Sequence, residues 1–204
     1  MNHLHSLVLA ITLLVGGVSV ATAQDFNKGF EAAQSGDFET ALQEWRPLAE
    51  QGNAPAQYNL GVAYRNGEGV PQDDAEAVKW YRLAAEQGLD DGQRQLGWMY
   101  DGGRGVPQDR SEAMKWYRLA AKQGDGLAQV YLGMMYDRGH GVLQSKIMAH
   151  MWYNIGAANG SELVREHGIA ERDFLAKQMA SADISTAQAM ARECMSSNYQ
   201  NCGE

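Results

Sequence analysis

The chain has few of the residue patterns that most enzymatic chemistry requires. No Gly-x-Ser-x-Gly elbow, Ser-x-x-Lys, His-Glu-x-x-His, phosphate-binding loop or dinucleotide fingerprint occurs. Positive charge is scarce as well: 17 Lys and Arg stand against 25 Asp and Glu, a net charge of −8. Nucleic acids and anionic membranes require a basic footprint on their partners, so this balance argues against both. Cysteine occurs twice, at Cys194 and Cys202. That is too few for a zinc site built on four cysteines, and the spacing is too wide for a Cys-x-x-Cys redox pair. In an oxidising compartment the expected state is a structural disulfide between them, with free or intermolecular thiols as the alternative. His140, His150 and His167 are the histidines beyond the N-terminal segment. They read as surface or helix-packed residues, so neither a metal nor a cofactor is expected. The paired carboxylates Asp73-Asp74 and Asp90-Asp91 lie at turns and helix starts, where they stabilise helix N-termini rather than forming an acid and base pair.

The N-terminus has the pattern of a secretory signal. An apolar run from Leu7 to Val20 is followed by Ala21-Thr22-Ala23, which offers small residues for cleavage before Gln24. The segment ahead of that run has no Lys or Arg, only His3 and His5. The run falls short of the roughly 20 residues that a membrane span needs. No cysteine follows the cleavage point, so a lipoprotein anchor is not indicated. The expectation is a signal peptide over 1–23 and an exported mature chain with no stable membrane anchor, periplasmic or else extracellular.

What is abundant is repetition. Gly61, Gly97 and Gly133 stand 36 residues apart, as do Trp80, Trp116 and Trp152. A fixed period in this range marks a stacked repeat array. Within one copy, Trp116, Tyr117, Ala120, Ala121 and Ala113 share a helical face, and Leu96, Gly97 and Tyr100 share another. Each repeat is therefore helix A, loop, helix B. Glycine inside helix A costs about 1 kcal/mol relative to alanine, so its return in every copy calls for a packing reason. The expectation is that Gly97 lets the rings of Trp116 and Tyr117 lie against the helix A backbone. Gly103 and Gly105 supply loop conformations, Pro107 fixes the chain, and Asp109 or a neighbour caps helix B. Gly88, Gly124 and Gly160 are expected as left-handed residues closing each helix B.

The strings Ala-Gln-x-x-Leu-Gly-x-x-Tyr, Gly-x-Gly-Val-Pro-Gln-Asp and Ala-x-Lys-Trp-Tyr-Arg-x-Ala-Ala-x-Gln-Gly resemble the Sel1-like repeat, a cousin of the tetratricopeptide repeat. The resemblance implies an all-α, right-handed α-solenoid of stacked antiparallel helix pairs that works through protein or peptide contacts. The units are expected at 24–52 (a divergent first pair), 53–88, 89–124 and 125–160, with C-terminal capping helices and a tail over 161–204. In the first unit Trp45 stands 36 before Tyr81, and Pro47 is expected to interrupt the helix. In the last repeat Leu143, Ser145 and Gly156 replace Pro, Asp and Ala, which predicts a looser loop. The cap reads as one helix over about 162–180, with Val164, Ile169, Phe174, Leu175 and Met179 on its stripe. A second over about 182–196 carries Ile184, Ala187, Ala191 and Met195.

Solenoids of this kind bind on a concave face formed mainly by the A helices. The informative positions are those that differ between copies: Asn59, Gln95 and Tyr131; Val62, Trp98 and Met134; Arg65, Asp101 and Asp137. The first two sets form a strip with Trp98, Tyr131 and Met134 at its centre, unless Trp98 and Met134 pack between neighbouring A helices. Trp80, Trp116 and Trp152 are expected in the core. The functional expectation is an exported scaffold for a protein or peptide partner, not an enzyme. The alternatives are a weak cell-envelope hydrolase of peptidoglycan or β-lactams, and a secreted effector or inhibitor. The dense cysteines of the Sel1-like proteins associated with β-lactam binding are missing here.

Overall fold

A computed structural model of the chain describes residues 25–203; the signal-peptide expectation lies outside them. Among the described residues there are ten helices and no strand. They are α1 (Phe26–Gln34), α2 (Phe38–Glu50), α3 (Ala54–Asn66), α4 (Asp74–Glu86), α5 (Asp90–Gly102), α6 (Arg110–Lys122), α7 (Gly126–Arg138), α8 (Lys146–Asn159), α9 (Glu162–Ala176) and α10 (Ser181–Ser196). Capping sets the starts. Asp73, Asp109 and Ser145 each accept a hydrogen bond from the backbone N–H three residues on, opening α4, α6 and α8. Asn53 and Asp125 do the same for α3 and α7.

The helices pack as successive pairs, each pair lying on the next, in an all-α solenoid. Helix A meets helix B through its glycine. A Cβ on Gly97 would lie 2.8 Å from the ring of Tyr117, and one on Gly61 or Gly133 would lie 2.6 Å from Tyr81 or Tyr153. The interior partner is therefore the tyrosine and not the tryptophan beside it. Tyr81, Tyr117 and Tyr153 are buried, whereas Trp80 and Trp116 are only half-buried. These two pack back against the cluster of the preceding pair, and Trp152 alone of the three is enclosed. In the first pair the same contact is made by Gly29, which faces the Trp45 indole.

Two polar ladders tie the pairs together. Gln57, Gln93 and Gln129 are buried, and each donates to the carbonyl of Ala49, Ala85 or Ala121 near the end of the preceding helix. Each of those carbonyls also accepts the N–H of Gly52, Gly88 or Gly124 just past the helix end, and with two lone pairs it satisfies the buried amide as well. Arg46, Arg82 and Arg118 donate to the hydroxyls of Tyr64, Tyr100 and Tyr136, one pair further along.

Several expectations are corrected. Helix α2 continues through Pro47 to Glu50 without a break. Gly88 and Gly124 have positive φ, but Gly160 has φ −74° and is extended, because α8 runs on to Asn159 and leads directly into α9. The third loop is not looser. His140 and Ser145 donate their N–H groups to Met135 and Tyr136 just as Arg104 and Asp109 do to Met99 and Tyr100. Helix α9 ends at Ala176, and Ile169 and Phe174 on its expected stripe are exposed. The α9 face turned inward carries Gly168, close to Ala157 and the Tyr153 carbonyl, and Leu175. On α10, Ala187, Ala191 and Cys194 are buried, and Cys194 is bonded to Cys202 (Sγ–Sγ 1.97 Å).

Candidate functional site: the A-helix face

The repeated leucine, glycine and tyrosine contacts are taken up by packing, and most of the A-helix residues singled out because they differ face a row of hollows. The first hollow, about 310 Å3, lies between α1 and α3 and is bordered by Phe30, Phe38, Asn59, Val62 and Glu68. The second, about 280 Å3, lies between the ends of α3, α5 and α7 and is bordered by Arg65, Arg94, Gln95, Trp98, Leu127 and Tyr131. A third, about 170 Å3, is bordered by Trp98, Asp101, Tyr131, Met134, Arg138 and His140. Eight of the nine residues singled out on the A helices border one of the three; Asp137 borders none of them. Trp98 and Tyr131 border both the second and the third.

Trp98 is half-buried and packs against the clusters on both sides of its repeat, so groove and packing are not exclusive at this residue. The Arg104 guanidinium lies 4.2 Å from its ring centroid and that of Arg65 lies 5.6 Å away. Arg65 also donates to Gln95 Oε1 at 2.8 Å and to Asn66 Oδ1 at 3.2 Å. Tyr131 packs on Tyr117 with ring centroids 5.0 Å apart. Burial pushes its hydroxyl pKa up, an effect that the nearby Arg94 opposes.

The charges here are divided between committed and uncommitted groups. Arg94 is held by Asp91 and by Asp125, the latter at 2.8 Å. Asp101 faces Arg110 at 3.5 Å. Among the described residues no three His, Cys, Asp or Glu side chains converge as a metal site. His140 borders the third hollow, His150 is buried in α8, and His167 is exposed.

Arg94, Arg104 and Leu127 were not singled out from the sequence. The signal was present in the same register comparison: Tyr58, Arg94 and Val130 differ between copies, as do Glu68, Arg104 and His140.

The Sel1 repeat model matches residues 54–89, 90–125 and 126–161. Over 68 residues the chain is 40% identical to an exopolysaccharide production negative regulator of Rhizobium leguminosarum bv. viciae, covering 32% of this chain and 26% of that protein. Over 61 residues it is 38% identical to the DAP3-binding cell death enhancer 1 of Rattus norvegicus, covering 30% and 12%. Among solved structures it is similar to c5321, a protective antigen of uropathogenic Escherichia coli with an SLR fold. There the TM-score is 0.64 and the identity 43%, over 68% of this chain and 31% of that one. It is also similar to a Sel1 repeat protein from Oxalobacter formigenes, with TM-score 0.56 and 40% identity over 63% and 97%. The match thus spans about a quarter or less of the two curated relatives. With three consecutive repeat matches across more than half of its length and the helix pairs that those matches require, the chain belongs to the Sel1 repeat family.

Proposed function

We propose that this protein is an exported scaffold that holds a protein or peptide partner along the face formed by α3, α5 and α7. The observation that carries this reading is the division of labour within the repeat. The leucine, glycine and tyrosine contacts common to the copies are buried in the stack, while eight A-helix residues at positions that differ border three successive hollows. A half-buried Trp beside a Tyr, ringed by Arg, is the composition in which binding energy concentrates. Two relatives bear names that fit such a role, one a regulator and the other a protein-binding factor.

Export is supported by the N-terminal apolar run ending in Ala-Thr-Ala and by the Cys194–Cys202 disulfide, a bond that persists in oxidising compartments. Among the described residues no helix is long and apolar enough to cross a membrane. Fractionation of cells expressing the full chain tests the compartment. The expected product starts at Gln24 and is recovered outside the cytoplasm, and a full-length cytoplasmic product refutes export.

The binding test is affinity capture from envelope extract with the mature chain and with Trp98→Ala. The expected outcome is a captured protein that is lost with Trp98→Ala while the helical circular dichroism is retained. Equal capture by both refutes the A-helix face as the partner surface.

A further inference from the structure

Trp98, which borders the second hollow, gathers beside it two guanidinium groups that no carboxylate neutralises, Arg65 in the hollow and Arg104 on the ring. Around Trp98, Arg94 is taken up by Asp91 and Asp125, and Asp101 by Arg110. Arg65 is different, since its acceptors are the neutral amide oxygens of Gln95 and Asn66. Arg104 makes no hydrogen bond or ion pair among the described residues and rests only on the Trp98 ring. Stacking on an aromatic face orients a guanidinium and leaves its N–H groups available to a carboxylate, which they bind in bidentate fashion. In a chain of net charge −8, two such groups gathered on one tryptophan are a local reversal of sign.

We infer that the partner contributes a segment with an acidic side chain beside an apolar one, the carboxylate seated between Arg65 and Arg104 and the apolar group on Trp98, Leu127 and Tyr131. This deepens the preceding reading of the A-helix face and rests on it. Against the chain's net charge of −8, the arginine pair favours docking of such a segment at this place along the solenoid. Gln95 positions Arg65 by accepting its Nη1 hydrogen bond.

The probe is an array of labelled peptides, acetylated and amidated, in which Glu alternates with apolar residues. Each has a twin with Gln in place of Glu, and a further set has Gln throughout and a free C-terminus. Anisotropy titration is expected to show Glu peptides binding at least about tenfold more tightly than their Gln twins, the size expected of a charge-assisted bidentate contact. Arg65→Gln and Arg104→Gln each remove most of that preference while binding the Gln twins as the wild type does, and Arg104→Lys restores part of it. Lys177→Gln, which removes an exposed charge just past the end of α9, leaves the preference intact. Equal binding of the twins, a preference that survives both arginine changes, tighter binding of the free C-terminus set, or no binding of any Glu peptide overturns the inference. Capture that requires Trp98 but neither arginine overturns this inference alone; capture indifferent to Trp98 removes the surface itself.

Discussion

Gly103 and Gly105 stand two residues apart in one loop with φ of +64° and +65°, so alanine at either pays the same left-handed penalty. That penalty is about 1–2 kcal/mol. Their surroundings differ. A Cβ on Gly103 would meet only its own loop, 3.1 Å from the Gln108 Cβ. A Cβ on Gly105 would overlap the Asp74 carbonyl and lie 2.6 Å from Ala75 N, backbone atoms at the start of α4 in the preceding pair. The neighbouring copies repeat the arrangement, with Gly141 against Arg110 and Ser111, and Gly69 against Phe38 and Leu42. Gly105 is therefore a stacking contact between pairs as well as a turn residue. Backbone cannot rotate away as a side chain does, so Gly105→Ala adds an overpacking cost of about 1–3 kcal/mol to the shared penalty. Urea unfolding of Gly103→Ala and Gly105→Ala should show that gap directly, and thermal melts should separate by about 2–12 °C for a chain of this size. Gly88→Ala, with φ +91° and open space around its Cβ, should match Gly103→Ala. Equal losses at Gly103 and Gly105 would refute the idea that the second loop glycine sets the spacing of the pairs.

The tyrosine and tryptophan of helix B should separate in the same assay. Tyr117→Ala empties a buried site at a cost of about 3–5 kcal/mol, and half-buried Trp116→Ala should cost less; the reverse order would return the tryptophan to the interior. Burial pushes the hydroxyl pKa values of Tyr81, Tyr117 and Tyr153 up. Their folded pKa exceeds the unfolded value of about 10, so their contribution to stability is complete below that pH and lost as pH rises beyond it. Phenolate absorbance from these residues should appear together with loss of helix in an alkaline titration, and ionisation with the helices intact would contradict the burial. His150 titrates with the opposite sign: burial first, and then Arg172, lower its pKa, with Asp173 opposing. The unfolded chain then takes up the proton first, so stability present above about pH 6.5 is lost as pH falls below it. Replacing His150 with Leu should flatten the fall in the urea midpoint between about pH 7 and about pH 5, and an unchanged slope would show that other groups carry it.

The helix pairs and their caps were legible because they are local. A period of 36, an Asp or Ser ahead of each helix B and a glycine fixed within each helix A are visible without knowing what lies opposite. Which of two adjacent aromatics turns inward was not legible. Trp116 and Tyr117 are consecutive on a helix and so about 100° apart, and both lie on the apolar side. The choice is made by the preceding pair, whose cluster receives Trp116 at the seam while Gly97 receives Tyr117. The same limit applies to part of the α9 stripe. Val164, Leu175 and Met179 pack on the core as expected, whereas Ile169 and Phe174 lie outside because Gly168 makes the close approach to α8.

The candidate site was legible for the converse reason. Packing fixes most repeated positions, so residues that change from copy to copy on an A helix are where a partner face is to be sought, although some of them, such as Val130, are buried in the stack. Beyond the three registers of the strip, two further registers that differ between copies hold Arg94 and Arg104. The positive charge around Trp98 is thus carried by non-repeating residues, Arg65 and Arg94 in the second hollow and Arg104 on the ring, on a frame whose stability comes from the repeated ones. Arg104 lies in an exposed loop and Arg65 at the last turn of α3, so neither is needed to bury the glycine and tyrosine contact that holds a pair together. Partner preference at this face can therefore change by substitution at those positions while the stack beneath it stays as it is.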